Sequence, residues 1–351
     1  MKEIMNKLIN EGYEAFVVGG YVRDYLLGIE SEDIDICTNA PINVITRLFK
    51  GEGTAFPQYF AYHIEKDGVS YDINSYRKEL AYRRNKPIEL ELAPDLATDL
   101  LRRDFTINTF AITLDGHLID IYGAKKDLDS RIIRVMGDTE KKFKEDKTRI
   151  LRAIRFACTL DFDLEPRIID FLANKHVYLL NEISPEFKKR ELDKIFDSNN
   201  AYKFFYLVKR YNMWKYFNIH SVPTVTQTYS RYGIWAQIDT DLIFTKEEKR
   251  IIESIKKIVA KGDIEFIDFV LNPPEVLYNA ASILGIEGKV KTLLDILSIK
   301  SIVEIDMSVS TMLNYVEIDD FKRVYKLVER NIMEGKLENN KEAIIDYLKC
   351  L

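Results

Sequence analysis

Cysteine is scarce in this chain. Cys37, Cys158 and Cys350 stand far apart, an odd number without metal-type spacing. That excludes a disulfide framework and fits a reducing compartment. No stretch approaches the roughly 18 uncharged apolar residues that a membrane-spanning helix requires. The first residues, Met1-Lys2-Glu3-Ile4-Met5-Asn6-Lys7, carry no apolar leader segment. The expectation is therefore a cytoplasmic protein with no membrane partner. Positive charge is not in excess either: 51 Lys and Arg face 56 Asp and Glu, for a net charge of -5. Bulk charge therefore does not coat nucleic acid, although a local basic face remains open. Internal repeats and low-complexity segments are missing too. What remains is ordinary globular composition, 46% hydrophobic and 30% charged over 351 residues, enough for two or three domains with ample cores.

Against that background one stretch stands out. Val17-Val18-Gly19-Gly20-Tyr21-Val22-Arg23-Asp24 is an apolar strand running into paired glycines and an arginine, and Asp33-Ile34-Asp35-Ile36 follows shortly after. Residues two apart on a strand share a face. Asp33 and Asp35 should therefore project together, roughly 7 Å apart at about 3.3 Å of rise per residue, as a pair able to hold one or two Mg²⁺ ions. Gly19 and Gly20 allow a turn that brings backbone N–H groups close to an anion. A helix starting near Tyr21 would add its N-terminal amides and Arg23. Each piece is weak alone; their order and closeness suggest a site where a triphosphate meets metal ions.

The rest of the first half reads as a small mixed sheet of about five strands with few helices. Asp67-Gly68 joins two alternating runs as a hairpin, Asp115-Gly116 joins a second pair, and Gly28 is placed to end the first helix after the glycine turn. Asp72 lies in the second arm of the first hairpin, either as a third carboxylate near the metals or as a solvent-facing acid. Tyr76 to Asp99 opens on a basic cluster, Arg77, Lys78, Arg83, Arg84 and Lys86, is interrupted by Pro87 and Pro94, and reads as a long mobile connection over the site. Leu101 to Asn108 reads as the start of a helix with Asp104 near its N-terminus.

After Gly137 the period changes to 3.6, and the remainder reads as all-helical. In Glu145 to Ala157, Ile150, Ile154 and Ala157 fall on one stripe while Asp146, Arg149 and Arg152 recur every third residue on another. Thr245 with Glu248 reads as a capping box, Gly262 as the stop of that helix, and Asp319 or Asp320 as a later cap. In Tyr202 to Phe217 the spacing of Phe204, Leu207, Val208 and Tyr211 indicates core packing. The neighbouring lysines and Arg210 are left on an outer face.

Three constellations thus stand in one order: the glycine turn with Asp33 and Asp35; Arg102-Arg103-Asp104-Phe105-Thr106-Ile107-Asn108; and Glu145-Asp146-Lys147-Thr148-Arg149-Ile150-Leu151-Arg152-Ala153-Ile154-Arg155-Phe156. In this the chain resembles the class II tRNA nucleotidyltransferases, the CCA-adding enzymes and their bacterial poly(A) polymerase relatives, within the DNA polymerase β superfamily. The resemblance implies an α+β architecture. A nucleotidyltransferase head would span residues 1–136, followed by an all-α neck over 137–200, a body over 201–272 and a tRNA-binding tail over 273–351.

By the same resemblance, Asp33 and Asp35 would be the catalytic metal ligands, for Mg²⁺; Asp72 joins them as a third catalytic carboxylate only if its hairpin strand pairs beside Asp33 to Cys37. Gly19, Gly20 and Arg23 would attend the triphosphate, and Arg103, Asp104 and Asn108 the sugar and phosphates. Asp146 and Arg149, with Arg152 and Arg155 on the same segment, would bind the nucleotide and read its base without a template. A carboxylate accepting from the exocyclic amine of C or A and a guanidinium donating to ring acceptors suit that task. One departure is Phe187, where the family commonly has arginine ahead of Glu191-Leu192; a contact to the base-reading helix is then lost, or is replaced by Lys188 or Arg190. The implied reaction is addition of C, C and A to the acceptor arm of tRNA from CTP and ATP, with no DNA partner. Poly(A) synthesis, CC- or A-addition alone, and a non-catalytic RNA-binding regulator are the alternatives.

Overall fold

The computed structural model describes residues 1–174, 176–296, 304–317 and 320–351. The chain divides into two compact units, Met1–Asn218 and Ile219–Leu351.

The first unit opens with α1 (Lys2–Asn10), β1 (Phe16–Val18), α2 (Gly20–Leu27), β2 (Asp33–Thr38), α3 (Ile42–Leu48), β3 (Thr54–Phe56), β4 (Ala61–Lys66) and β5 (Val69–Ser75). A hairpin of β6 (Arg77–Arg83) and β7 (Lys86–Leu92) follows, then α4 (Leu96–Leu101), β8 (Ala111–Ile112) and β9 (Leu118–Ile119). The sheet has seven strands in the order β3-β4-β5-β2-β1-β8-β9, two more than expected. Strands of two or three residues are too short to display the alternation by which sequence reveals a strand. β2 runs antiparallel to β1 and parallel to β5, with Asp35 opposite Asp72. On β2, Ile34 and Ile36 are buried while Asp33 and Asp35 turn to the other face, as the two-residue period requires. On the core side, Val18, Cys37, Tyr76, Leu96, Leu100 and Ala111 pack together.

Two expectations for this unit are corrected. The basic stretch after Tyr76 is not an irregular connection: Arg83 pairs with Lys86 across a two-residue turn in which Arg84 and Asn85 both have positive φ, 50° and 63°. That is the geometry that favours hairpins, but Arg-Asn lacks the glycine that announces it, and bulges between Glu79 and Tyr82 break the alternation. Leu101 to Asn108 does not start a helix. α4 ends at Leu101, and only Thr106–Asn108 makes a single 3-10 turn. Asp104 instead accepts from the Phe105 backbone and the Asn108 amide, and such local side-chain bonding competes with a helix.

The unit continues with α5 (Ala124–Asp129), β10 (Ile132–Ile133), α6 (Thr139–Glu145), α7 (Thr148–Thr159), β11 (Asp163–Leu164), α8 (Pro166–Ala173), α9 (Pro185–Phe196) and α10 (Ala201–Arg210). Ile150, Leu151, Ile154, Ala157 and Cys158 of α7 are buried, and Phe204, Leu207 and Val208 of α10 pack inward as their spacing indicates.

The second unit is helical: α11 (Arg231–Trp235), α12 (Lys246–Lys261), α13 (Phe266–Leu271), α14 (Pro274–Leu284), α15 (Glu287–Ile296), α16 (Val309–Met312), α17 (Phe321–Met333) and α18 (Lys341–Lys349). Thr245 and Glu248 form the anticipated capping box on α12, and Gly262 ends it in the left-handed conformation. Asp320 precedes α17 but its side chain makes no capping bond, and Asp319 lies outside the described residues. Ile255, Ala280, Val328 and Ile344 sit at the centre of this unit's core. Among the described residues no helix is long and apolar enough to cross a membrane.

Candidate active site

The face of the first unit that carries Asp33 and Asp35 opens into a cavity of about 590 Å³. α2 begins at its floor. Gly19 is the residue before the helix, at φ 78° and ψ -143°, a conformation essentially restricted to glycine. A Cβ added there would lie 2.6 Å from Asp35 Oδ2 and 2.8 Å from Arg103 Nη1. The glycine therefore admits a close approach that any side chain would block. One turn into α2, buried Arg23 holds Asp24 through two guanidinium nitrogens at 2.8 and 2.9 Å and donates to Asn108 Oδ1 at 2.7 Å.

The turn after α4 supplies the opposite wall. Arg102 bonds Asp99 at 2.9 Å and Glu79 at 3.1 Å. Asp104 pairs with Arg152 of α7 at 2.5 Å and accepts from Asn108 at 2.9 Å. Burial alone would raise the Asp104 carboxyl, but Arg152 and Asn108 outweigh it and hold the group down to about 2. Asp35 shows the reverse balance: burial, with the neighbouring Asp72 and Asp33 carboxylates, raises its carboxyl despite Arg103. Concentrated negative charge of this kind is what a divalent cation relieves. Among the described residues no three His, Cys, Asp or Glu side chains are grouped to hold a metal. Two carboxylates fit a cation that completes its shell with phosphate and water oxygens.

α6 and α7 close the far end. Asp146 lies between them rather than within a helix, and its carboxylate accepts from the Thr148 amide at 3.0 Å and hydroxyl at 2.6 Å. This corrects the expectation of an i, i+3 pair on one helix, although Arg149 Nε still lies 3.9 Å from Asp146 Oδ2. Arg149 is buried. It donates to the Lys142 carbonyl at 3.2 Å and to the Tyr82 hydroxyl at 2.8 Å, and stands over the Tyr82 ring. Tyr82 in turn bonds Glu79. Phe156 lies under the guanidinium groups of Arg23 and Arg155 at 4.7 and 3.9 Å. Arg155 also donates to Glu191 of α9 at 2.6 Å. The polar contact between α9 and α7 is thus made by Glu191, while Lys188 reaches Asn218 and Arg190 covers Phe187.

The cavity collects Gly19, Gly20, Arg23, Asp33, Asp35, Arg103, Asp104, Asn108, Asp146, Arg149, Arg152 and Arg155 along one lining. Asp72 is not part of it: beside Asp35 on β5, its carboxylate is bonded to His63 Nδ1 at 2.8 Å. The lining also holds residues that the sequence did not single out, chiefly Glu79 and Tyr82 of the hairpin, Arg102, and Lys194 of α9. Arg102 opens the second constellation, and residues 76–99 are expected over the site, but as a mobile connection; their order does not indicate a regular hairpin that brings Glu79 and Tyr82 into the lining.

Residues 15–134 match the family described as the poly A polymerase head domain. Over 98% of this chain and 95% of its own length, the CCA-adding enzyme of Bacillus pumilus is 29% identical. The chain is thus similar over nearly its whole length to CCA-adding enzymes. Its fold is shared by the crystal structure of the Bacillus stearothermophilus CCA-adding enzyme in complex with CTP, with a TM-score of 0.72 at 22% identity over 99% of this chain and 95% of that one. It is shared also by the Thermotoga maritima CCA-adding enzyme complexed with tRNA, with a TM-score of 0.60 at 20% identity over 99% and 94%.

Proposed function

We propose that this nucleotidyltransferase adds C, C and A to the 3′ end of tRNA from CTP and ATP, releasing pyrophosphate. The observation that carries the reading is that a single cavity joins the Asp33–Asp35 strand and the Gly19 turn at one end to Asp146 and Arg149 at the other. One pocket thereby offers groups for the metal-bound triphosphate and groups for the base. Its relatives over nearly the whole length are CCA-adding enzymes.

In this reading the tRNA 3′-hydroxyl oxygen bonds to the α-phosphorus as the bond to the β-phosphate oxygen breaks. Asp33 and Asp35 would hold Mg²⁺, which when bound would supply Lewis-acid chemistry at the hydroxyl and the departing pyrophosphate. Gly19, Gly20 and Arg23 bind the triphosphate. Arg103, Asp104 and Asn108 line the sugar, where a 2′-hydroxyl distinguishes ribonucleotides. Asp146 accepts from the exocyclic amine of C or A, and Arg149 donates to the ring, with Arg152 and Arg155 completing the wall. Asp72, beside Asp35, is the proposed acceptor of the hydroxyl proton. Residues 1–136 act as head, 137–200 as neck, 201–272 as body and 273–351 as the tail that holds the acceptor arm. The work is cytoplasmic, in keeping with three free cysteines.

The test is incubation with tRNA lacking its terminal CCA, Mg²⁺ and each labelled nucleoside triphosphate in turn, followed by sequencing of the 3′ ends. C and A should enter and U and G should not; equal use of all four would remove the base-reading role of Asp146 and Arg149. Runs of A would indicate poly(A) synthesis instead. Asp33→Ala should lower transfer about a thousandfold, roughly 4 kcal/mol of metal stabilisation, with tRNA binding retained.

A further inference from the structure

Lys142 lies on α6, outside the cavity lining, and belongs to none of the roles assigned above. Its Nζ donates to three consecutive backbone carbonyls, Leu101 at 3.1 Å, Arg102 at 3.0 Å and Arg103 at 3.3 Å. These sit at the C-terminal end of α4, where carbonyls lack partners within the helix and a cation completes them. Three bonds engage every proton of one ammonium group. The turn so held is the one that presents Arg102, Arg103 and Asp104 to the cavity. The carbonyl oxygen of the same lysine accepts from Arg149 Nη1 at 3.2 Å. One residue is thus bonded through its side chain to the sugar-and-phosphate wall and through its backbone to the base-facing guanidinium. Capping alone would need only the first of these connections.

We propose that Lys142 is a positioning residue that sets the spacing between the Arg102–Asp104 turn and Arg149, so that the sugar and the base edge of an incoming nucleotide are held in register. The inference rests on reading the cavity as a CTP and ATP site. Burial and the positive charge of Arg149 on α7 lower the ammonium group to about 8, against the opposing pull of Glu145 on α6, Glu79 on β6 and Asp104 after α4. As pH rises through that value the amine loses its charge and one of its three N–H donors. An arginine in its place stays charged.

The test compares full-length wild type, Lys142→Met and Lys142→Arg on tRNA lacking its terminal CCA. It measures kcat and KM for CTP and ATP from about pH 7 to 9.5, tRNA affinity and thermal midpoint. Lys142→Met should lower kcat for both nucleotides about 10- to 100-fold, the scale of a small misplacement in a preorganised site, with tRNA affinity and thermal midpoint near those of wild type. Lys142→Arg should restore most of the rate, and the ratio of its rate to that of wild type should rise as pH passes about 8; the ratio cancels ionisations common to both. If wild type adds no nucleotides, the functional reading fails. If wild type adds CCA and Lys142→Met keeps kcat within about twofold at every pH, only the positioning role is overturned. Should Lys142→Met not fold, a flat Lys142→Arg to wild-type ratio across this range overturns the role by itself.

Discussion

Gly19 and Asp104 show how much single residues decide here. The missing Cβ of Gly19 is what lets the Asp35 carboxylate and the Arg103 guanidinium both close in on the start of α2. Gly19→Ala should cost about 1–3 kcal/mol from the backbone conformation alone, seen as a fall of several degrees in thermal midpoint. It should also cut nucleotide transfer more deeply than that loss explains, because the Asp35 carboxylate must move; unchanged kcat would contradict this. Asp104 carries a pH signature. Its folded-state value is depressed to about 2 by Arg152 and Asn108, so its contribution is fully present above the unfolded value near 3.8 and is lost as pH falls through about 2. The contribution is about 2 kcal/mol. Urea midpoints measured down through this window should fall less steeply for Asp104→Asn than for wild type. The glycine pair and the acid were both legible in the sequence. Their partners were not, because Asp35, Arg103 and Arg152 are brought to them by three separate elements.

At the scale of elements, the β6–β7 hairpin is where sequence and structure part most. Its composition is basic, its turn is Arg84-Asn85, and neither strand buries a continuous face. A pattern of buried and exposed positions therefore had nothing to record. What gives the hairpin its place is charge: Glu79 receives Arg102 and Tyr82, and Tyr82 meets Arg149. Tyr82→Phe removes the hydroxyl acceptor of Arg149 but leaves the ring beneath the guanidinium. The expected result is a loss of roughly 1 kcal/mol, about fivefold in kcat/KM for CTP and ATP, and poorer rejection of UTP, read from single-nucleotide incorporation. Deleting part of residues 83–94 should leave tRNA products ending in CC when ATP and CTP are both supplied. A full CCA end would show that the hairpin has no part in the change of base.

For the whole molecule, the boundary at Asn218 and Ile219 separates the unit with the cavity from the helical unit that follows. Residues 1–218 contain the entire cavity lining and their own core, the usual conditions for independent folding. This fragment should melt cooperatively and bind CTP within a few-fold of the full chain. Its tRNA affinity should fall at least about tenfold through loss of linked contacts, measured by circular dichroism, nucleotide titration and gel shift. Undiminished tRNA affinity would remove the tail from the binding surface.

The order of residues by itself determined the chemistry on offer and the class of fold. Paired glycines before a helix, two aspartates two residues apart, and a helical segment rich in arginine are local patterns, set by backbone sterics and by the periods of strand and helix. Tertiary structure decided which charges answer one another. Asp72 turns to His63 beside the cavity, Asp104 pairs with Arg152 of α7, and Glu191 takes the arginine contact at α9. It also brought Glu79 and Tyr82 to the site from a hairpin with no continuous buried face. Electrostatic partnerships act through space between elements distant in the chain, and the spacing along one strand or helix does not encode them.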